Sequence, residues 1–429
     1  MLVETTFIFI ALLLFFGFFG EVLFRKTKIP DVLWLIVAGI LLSVFGIVDI
    51  SSFDSVAPYF TAFVLLYLLF ESGINTDIRE FLKTAPRGLM LSVLSFIFTM
   101  GVITLIAWLL GFSLVLSLLL GSILGGISSA VVIPALKGMD LKESTKLSLI
   151  FDSSFSDVLC ILVTVTIIDV VTLGGLTSSI SGFDITKEIL SSFLIAIAIG
   201  LVCAFAWNNM LQRRIHDHIL TLTLGFMLLV YSFTQVLGAN GAIACLVFGL
   251  ILGNTKKIER IIQAEEEVVG TKRKSKDVKK AQAPSAMQHV VTKHSKEVYA
   301  ELAFVVKVLF FVYFGLFLDF SSYVVFLYGG LFFLGILLLR PLAVYLSFPK
   351  TTTRFDANIL ATLIPKGLAP AVLVQLPVQA GIPGAEGIVG LVLATVLISI
   401  VFGMLFTVLI QKNPSFRGIL PFLFSKFQK

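Results

Sequence analysis

The chain has 429 residues, 58% of them hydrophobic and 14% charged, with a mean hydropathy of +1.03; soluble domains carry roughly 25% charged residues, which excludes a water-soluble globular protein and predicts a polytopic helical membrane protein. The formal net charge of +6 sits in loops between apolar runs, so it calls for no nucleic-acid partner. Cys160, Cys203 and Cys245 all lie within apolar runs, where free thiols are expected.

Apolar runs of about 20 residues, at about 1.5 Å per helical residue, match a hydrocarbon core of about 30 Å. Thirteen are predicted, near 6–24, 31–48, 57–74, 88–110, 113–136, 147–172, 187–207, 219–237, 240–253, 300–318, 323–347, 357–378 and 386–410. The first has Glu4 before it and Arg25 after it, the reverse of a signal peptide, and is expected to persist in the mature protein. Lys and Arg follow the odd-numbered spans: Arg25, Lys26 and Lys28; Arg79, Lys83 and Arg87; Lys137, Lys142 and Lys146; Arg213 and Arg214. The alternate loops carry none, so the amino terminus is expected outside and the carboxyl terminus inside. The whole is read as a membrane domain over 1–410, with a hydrophilic cytoplasmic loop at 254–298 and a cytoplasmic tail at 411–429. The loop's basic content suits anionic lipid.

Span 3 ends in LLFESGINTDIREFLK, where an apolar helix runs into Glu71, Asn75 and Asp77; Glu71 could bind an ion or simply pair with Arg79. Span 5 holds Gly121, Gly125, Gly126, Ser128, Ser129 and Pro134, more helix-breaking material than a plain anchor carries. Broken helices at membrane depth line a cavity or are buried in protein. Span 6, SLIFDSSFSDVLCILVT, puts Asp152 and Asp157 in a long apolar run with Ser153, Ser154 and Ser156 between them. On a helix Ser156, Cys160, Ser153, Thr164 and Asp157 fall within about 140° of Asp152, one polar sector. An aspartate at mid-bilayer costs roughly 2.5 to 3.5 kcal/mol on insertion scales, so two argue for partners, water and function; a buried structural pair is the plainer alternative. Lys307 in span 10 is placed to snorkel. Arg340 lies well inside span 11 and needs a carboxylate partner. Span 12, NILATLIPKGLAPAVLVQLP, is the second broken span, with Pro365, Gly367, Pro370 and Pro377 around Lys366. Lys366 either complements half-helix dipoles or reaches cytoplasmic water.

The two broken spans are seven apart, so spans 1–6 overlay on spans 8–13 in inverted orientation, with span 7 as connector. Paired discontinuous helices in inverted repeats mark the substrate site of secondary transporters. The predicted fold is an all-α polytopic protein of 13 transmembrane helices with inverted six-helix repeats and two discontinuous crossing helices.

The end of span 3, the spacing of span 6 and the arginine of span 11 resemble the NhaP-like sodium/proton exchangers of the monovalent cation/proton antiporter superfamily. In that family span 3 ends in phenylalanine, glutamate and two glycines, where this chain has Phe70, Glu71, Ser72 and Gly73. The span 6 signature of glutamate, serine, two residues, asparagine and aspartate corresponds to Asp152, Ser153, Ser156 and Asp157. The resemblance implies that Asp157 carries the ion, with Ser156, Ser153, Ser128, Ser129 and broken-span backbone around it, and that Asp152 and Arg340 form a structural ion pair. It also implies a homodimer. The threonine-aspartate-proline sequence often found in span 5 is missing, since Val132 and Ile133 precede Pro134.

Proton and cation then compete for one carboxylate, and the bare charge opposes movement of the site across the barrier. The expected activity is antiport of protons against a monovalent cation, Na+ first, by alternating access and without net charge transfer. Antiport of K+ on the same scaffold is the alternative, Li+ is a further candidate cation, and a sodium-coupled symporter is a more distant one. A plasma-membrane location and a role in pH homeostasis accompany this reading, with no cofactor. An enzyme is not expected: His216, His218, His289 and His294 all lie in loops, and no metal-ligand spacing occurs.

Overall fold

A computed structural model of the chain describes residues 11–20, 22–23, 31–46, 57–76, 78–136, 139, 141–172, 182–214, 218–270, 293–318 and 322–412. Arg25, Lys26, Lys28, Asp77, Lys137, the 271–292 part of the hydrophilic loop and the 413–429 part of the tail lie outside the described residues. Those described are helical, in order α1 (Ala11–Gly20), α2 (Asp31–Val44), α3 (Ala57–Asn75), α4 (Ile78–Leu109), α5 (Leu114–Ile123), α6 (Ser129–Leu136), α7 (Glu143–Thr172) and α8 (Gly182–Arg214). They continue with α9 (Ile219–Val236), α10 (Gly241–Gly270), α11 (Lys293–Leu316), α12 (Tyr323–Ser347), α13 (Arg354–Thr362), α14 (Leu368–Leu373), α15 (Gln375–Gln379) and α16 (Glu386–Lys412). Seven helices among the described residues are long and apolar enough to cross a bilayer, and six shorter apolar ones lie in the other predicted spans.

Two boundaries differ from the sequence reading. Arg79, Lys83 and Arg87, expected in a loop, lie on the first turns of α4, which continues through Pro86; their charge ends the apolar run without ending the helix. The segment after Asn254, expected as a loop, begins as helix, α10 running on to Gly270. Its charged residues suppress hydropathy without suppressing helix propensity.

The chain divides into two compact units. The first comprises residues 1–65, 83–185 and 304–429. Here α12 packs on α16 and α13, and α7 packs on α5, α6 and α14. On α12 the leucines at 327, 331, 334, 338, 342 and 346 form an exposed stripe, while Phe332, Phe333, Ile336, Arg340 and Ala343 are buried. A leucine stripe of helical period is unfavourable in water and suits lipid tails. The second unit comprises residues 66–82 and 186–303. Within it the end of α3 lies against α10, where a Cβ on Gly73 would meet Leu250 N at 2.8 Å. Tyr67 Oη donates to Tyr299 O at 2.6 Å, Asn254 Nδ2 to Thr76 O at 2.7 Å and Lys296 Nζ to Ile74 O at 2.8 Å. The last two bonds take up carbonyls at the unwinding end of α3.

Candidate functional site: two broken helices around Asp157

Each predicted break is a real interruption of the helical ladder. α5 stops at Ile123 and α6 resumes at Ser129; α13 stops at Thr362 and α14 resumes at Leu368. The backbone groups released must find partners, since an unsatisfied amide in an apolar medium costs several kcal/mol. Ser128 N donates to Pro365 O at 2.8 Å, tying the two breaks directly to each other. Ile127 N donates to Ser156 Oγ of α7 at 3.1 Å. Lys366 N donates to Ser399 Oγ of α16 at 2.8 Å, and Lys366 Nζ donates to Gly126 O at 2.7 Å. Leu360 O, left without its ladder donor because Ile364 N turns to Thr362 O, accepts from Arg340 Nε at 3.1 Å.

Asp157 projects toward the first break. A Cβ built on Gly126 would come within 3.0 Å of Asp157 Oδ1 and 2.9 Å of Cys160 Sγ, so the missing side chain at Gly126 is what lets the carboxylate approach the backbone. Asp157 is half-buried and has no hydrogen-bond partner among the described residues. Lys366, 1% exposed, interacts electrostatically with it, although the ammonium is hydrogen-bonded to the α5 carbonyl terminus, an end that attracts cations.

Five residues earlier on the same helix, Asp152 is fully buried and has a very different setting. Arg340 Nη2 donates to Asp152 Oδ2 in a short, charge-assisted bond, and Arg340 Nη1 donates to Ser95 Oγ of α4. One guanidinium therefore joins α4, α7, α12 and the end of α13. Asp152 Oδ1 is buried with no hydrogen-bond partner.

The predicted site residues are thus distributed as follows. Asp157, Ser156, Ser128, Lys366 and Gly126 meet at the two breaks. Ser156 Oγ is occupied by Ile127 N rather than standing free for an ion. Ser153 Oγ donates within its own helix to Ile150 O at 2.9 Å, and Ser154 Oγ does the same at 3.0 Å. The Ser128 side chain packs against Gly367, and Ser129 opens α6 half-buried. Glu71 belongs to the second unit, where it accepts from Asn75 Nδ2. Sequence reading missed Ser95 and Ser399, single hydroxyls in long apolar helices whose partners are distant in the chain. Thr164, one of the polar sector expected on this helix, donates through Oγ1 to Ser122 Oγ at 2.9 Å and anchors α7 to α5.

Residues 10–412 match the family described as "Sodium/hydrogen exchanger, transmembrane". The chain belongs to that sodium/hydrogen exchanger family. Among similar members, the K(+)/H(+) antiporter NhaP2 of Shewanella sp. (strain MR-4) is 25% identical over 383 residues, covering 87% of this chain and 61% of its own length. The chain thus spans less than two thirds of the length of these relatives. The probable Na(+)/H(+) antiporter 2 of Methanocaldococcus jannaschii is 22% identical over 241 residues, 54% of this chain and 56% of that protein. The structure of the sodium proton antiporter MjNhaP1 from Methanocaldococcus jannaschii at pH 8 superposes with a TM-score of 0.73 at 21% identity, covering 96% of this chain and 99% of that one. The chain therefore has the fold of that antiporter.

Proposed function

We propose that this chain is a secondary active antiporter that trades protons for a monovalent cation by alternating access, with Asp157 as the shared carrier. The observation that carries the reading is a half-buried carboxylate, free of hydrogen-bond partners among the described residues, facing the backbone of a broken helix at Gly126. Asp157 supplies the charge, and Ser128, Ser129 and the carbonyls of the break supply further oxygens. Ser156 holds Ile127 in place and Ser153 lines the same face of α7, both shaping the cation's shell. Asp152 is spoken for by Arg340, so one carboxylate titrates per cycle. Lys366, buried and hydrogen-bonded to Gly126 O, interacts electrostatically with Asp157 and offsets part of its bare charge.

The seven long and six shorter apolar helices support thirteen crossings, spans 1–6 and 8–13 being inverted repeats joined by span 7. The membrane domain covers 1–410, with the segment 254–298 and the tail 411–429 in the cytoplasm and the amino terminus outside. The protein acts as a homodimer in the plasma membrane, and Glu71 is an accessory group. Sodium is the first reading for the cation. Potassium is the second, favoured by the relatives named K(+)/H(+) antiporter, which match 87% of the chain. In proteoliposomes the wild-type chain should release protons on addition of Na+ or K+, whichever it carries, and Asp157→Asn should lower that rate at least about a hundredfold. Undiminished exchange by the variant rejects Asp157 as carrier, and a response to neither cation rejects antiport.

A further inference from the structure

A cavity of about 210 Å³ lies at the end of the first unit where α4 and α7 begin and α12 connects to α13, with Arg87, Lys142, Ser144, Thr145, Ser148 and Thr352 in its wall. We propose that it binds a phosphate group, carried either by an anionic phospholipid headgroup or by a free phosphate. The cavity far exceeds the roughly 30 Å³ share of one water. Its two cations have no carboxylate partner among the described residues: Arg87 makes no hydrogen bond or ion pair there, and Lys142 Nζ makes one bond, to Thr351 O at 2.9 Å. Two acidic groups described near the cavity have other settings. Asp356 is buried and accepts from Thr145 Oγ1 at 3.0 Å, Glu143 is exposed, and neither lines the cavity.

The remaining wall completes an anion receptor. α7 is 30 residues long, Lys142 O accepts from the backbone of Thr145 and Lys146, and the amides before these have no acceptor within the helix. The positive end of a long helix, a guanidinium, an ammonium and the Ser144 hydroxyl form the donor set that phosphate oxygens require. The same two cations repel a monovalent cation, so the cavity is not a vestibule leading to Asp157. The charge pattern of the loops puts this end at the cytoplasmic surface, at the level of lipid headgroups. An anion here ties together α7, which carries Asp157, α4, which carries Ser95, and the connection that feeds the second break.

The test uses the full chain, purified in detergent and melted in sodium phosphate against sodium chloride at equal ionic strength. A second arm compares nanodiscs of phosphatidylcholine with discs containing phosphatidylglycerol. The wild type should melt at least about 2 °C higher with the phosphate-bearing addition. The Arg87→Gln, Lys142→Gln double variant should lose that rise, whereas Lys350→Gln, which removes a neighbouring exposed charge outside the cavity, should keep it. Ser144→Glu puts a carboxylate at the helix start, where it favours folding, and should block the response while the chain remains folded. A rise with inorganic phosphate assigns a free anion; a rise confined to phosphatidylglycerol discs assigns the headgroup. No rise in either arm, or equal loss in Lys350→Gln, overturns the proposal.

Discussion

Asp152 and Asp157 have the same side chain on one helix, and their neighbours give them opposite work. Asp152 is bonded to Arg340, whose other donors go to Ser95 and Leu360 O, so its charge is neutralised and its position fixed. Asp157 faces a glycine and has no such clamp. Removing one member of a buried, hydrogen-bonded pair leaves the other as an uncompensated charge, which costs roughly 3 to 5 kcal/mol. Arg340→Met should therefore destabilise the protein by about that amount, seen as a large drop in melting temperature in detergent. Adding Asp152→Asn to Arg340→Met should recover part of the loss, because the stranded carboxylate is gone. Equal melting temperatures for Arg340→Met and wild type would show that the pair is not what holds these helices together.

At the scale of elements, the breaks between α5 and α6 and between α13 and α14 organise the site, and the close approach of α7 to the first break depends on Gly126. Adding a methyl group there brings it to 3.0 Å from Asp157 Oδ1 and 2.9 Å from Cys160 Sγ, and neither neighbour sits at the end of a long flexible chain. Gly126→Ala should push α7 from the break and raise the cation concentration for half-maximal exchange at least about tenfold, or roughly 1.4 kcal/mol. Gly101→Ala on α4, with nothing within 4 Å of the added carbon, should leave exchange intact and gain up to about 1 kcal/mol of helix stability. Both breaks were legible in the sequence because glycine and proline crowd spans 5 and 12, and α7 was legible because two aspartates interrupt an apolar run. What the breaks bond to was not. The family resemblance puts Ser156 around the ion, whereas its oxygen accepts from Ile127 N, and the sequence leaves Lys366 between two roles where the structure puts its ammonium on Gly126 O. These pairs join residues 29 and 240 positions apart, and no local pattern encodes which orphan amide a given hydroxyl will meet. Likewise, Arg79, Lys83 and Arg87 read as a loop because their charge masks a helix in a hydropathy profile.

For the molecule as a whole, the charge carried per cycle follows from counting the buried groups. Asp152, Arg340, Asp157 and Lys366 sum to zero when Asp157 is bare. A proton or a monovalent cation on Asp157 raises the sum to one positive charge in either case, and Lys366 counts equally in both loaded states. In the proposed cycle the loaded site crosses in one direction with the cation and returns with the proton at the same charge, so no net charge moves. Moving one elementary charge through 100 mV is worth about 2.3 kcal/mol, a factor of roughly fifty in the ratio of gradients at equilibrium. Exchange should accordingly run to the same proton and cation gradients in proteoliposomes held at zero potential and at about 100 mV of either sign. A shift of the final gradients with potential would mean that a second group titrates during the cycle, and Lys366 would be the first to replace.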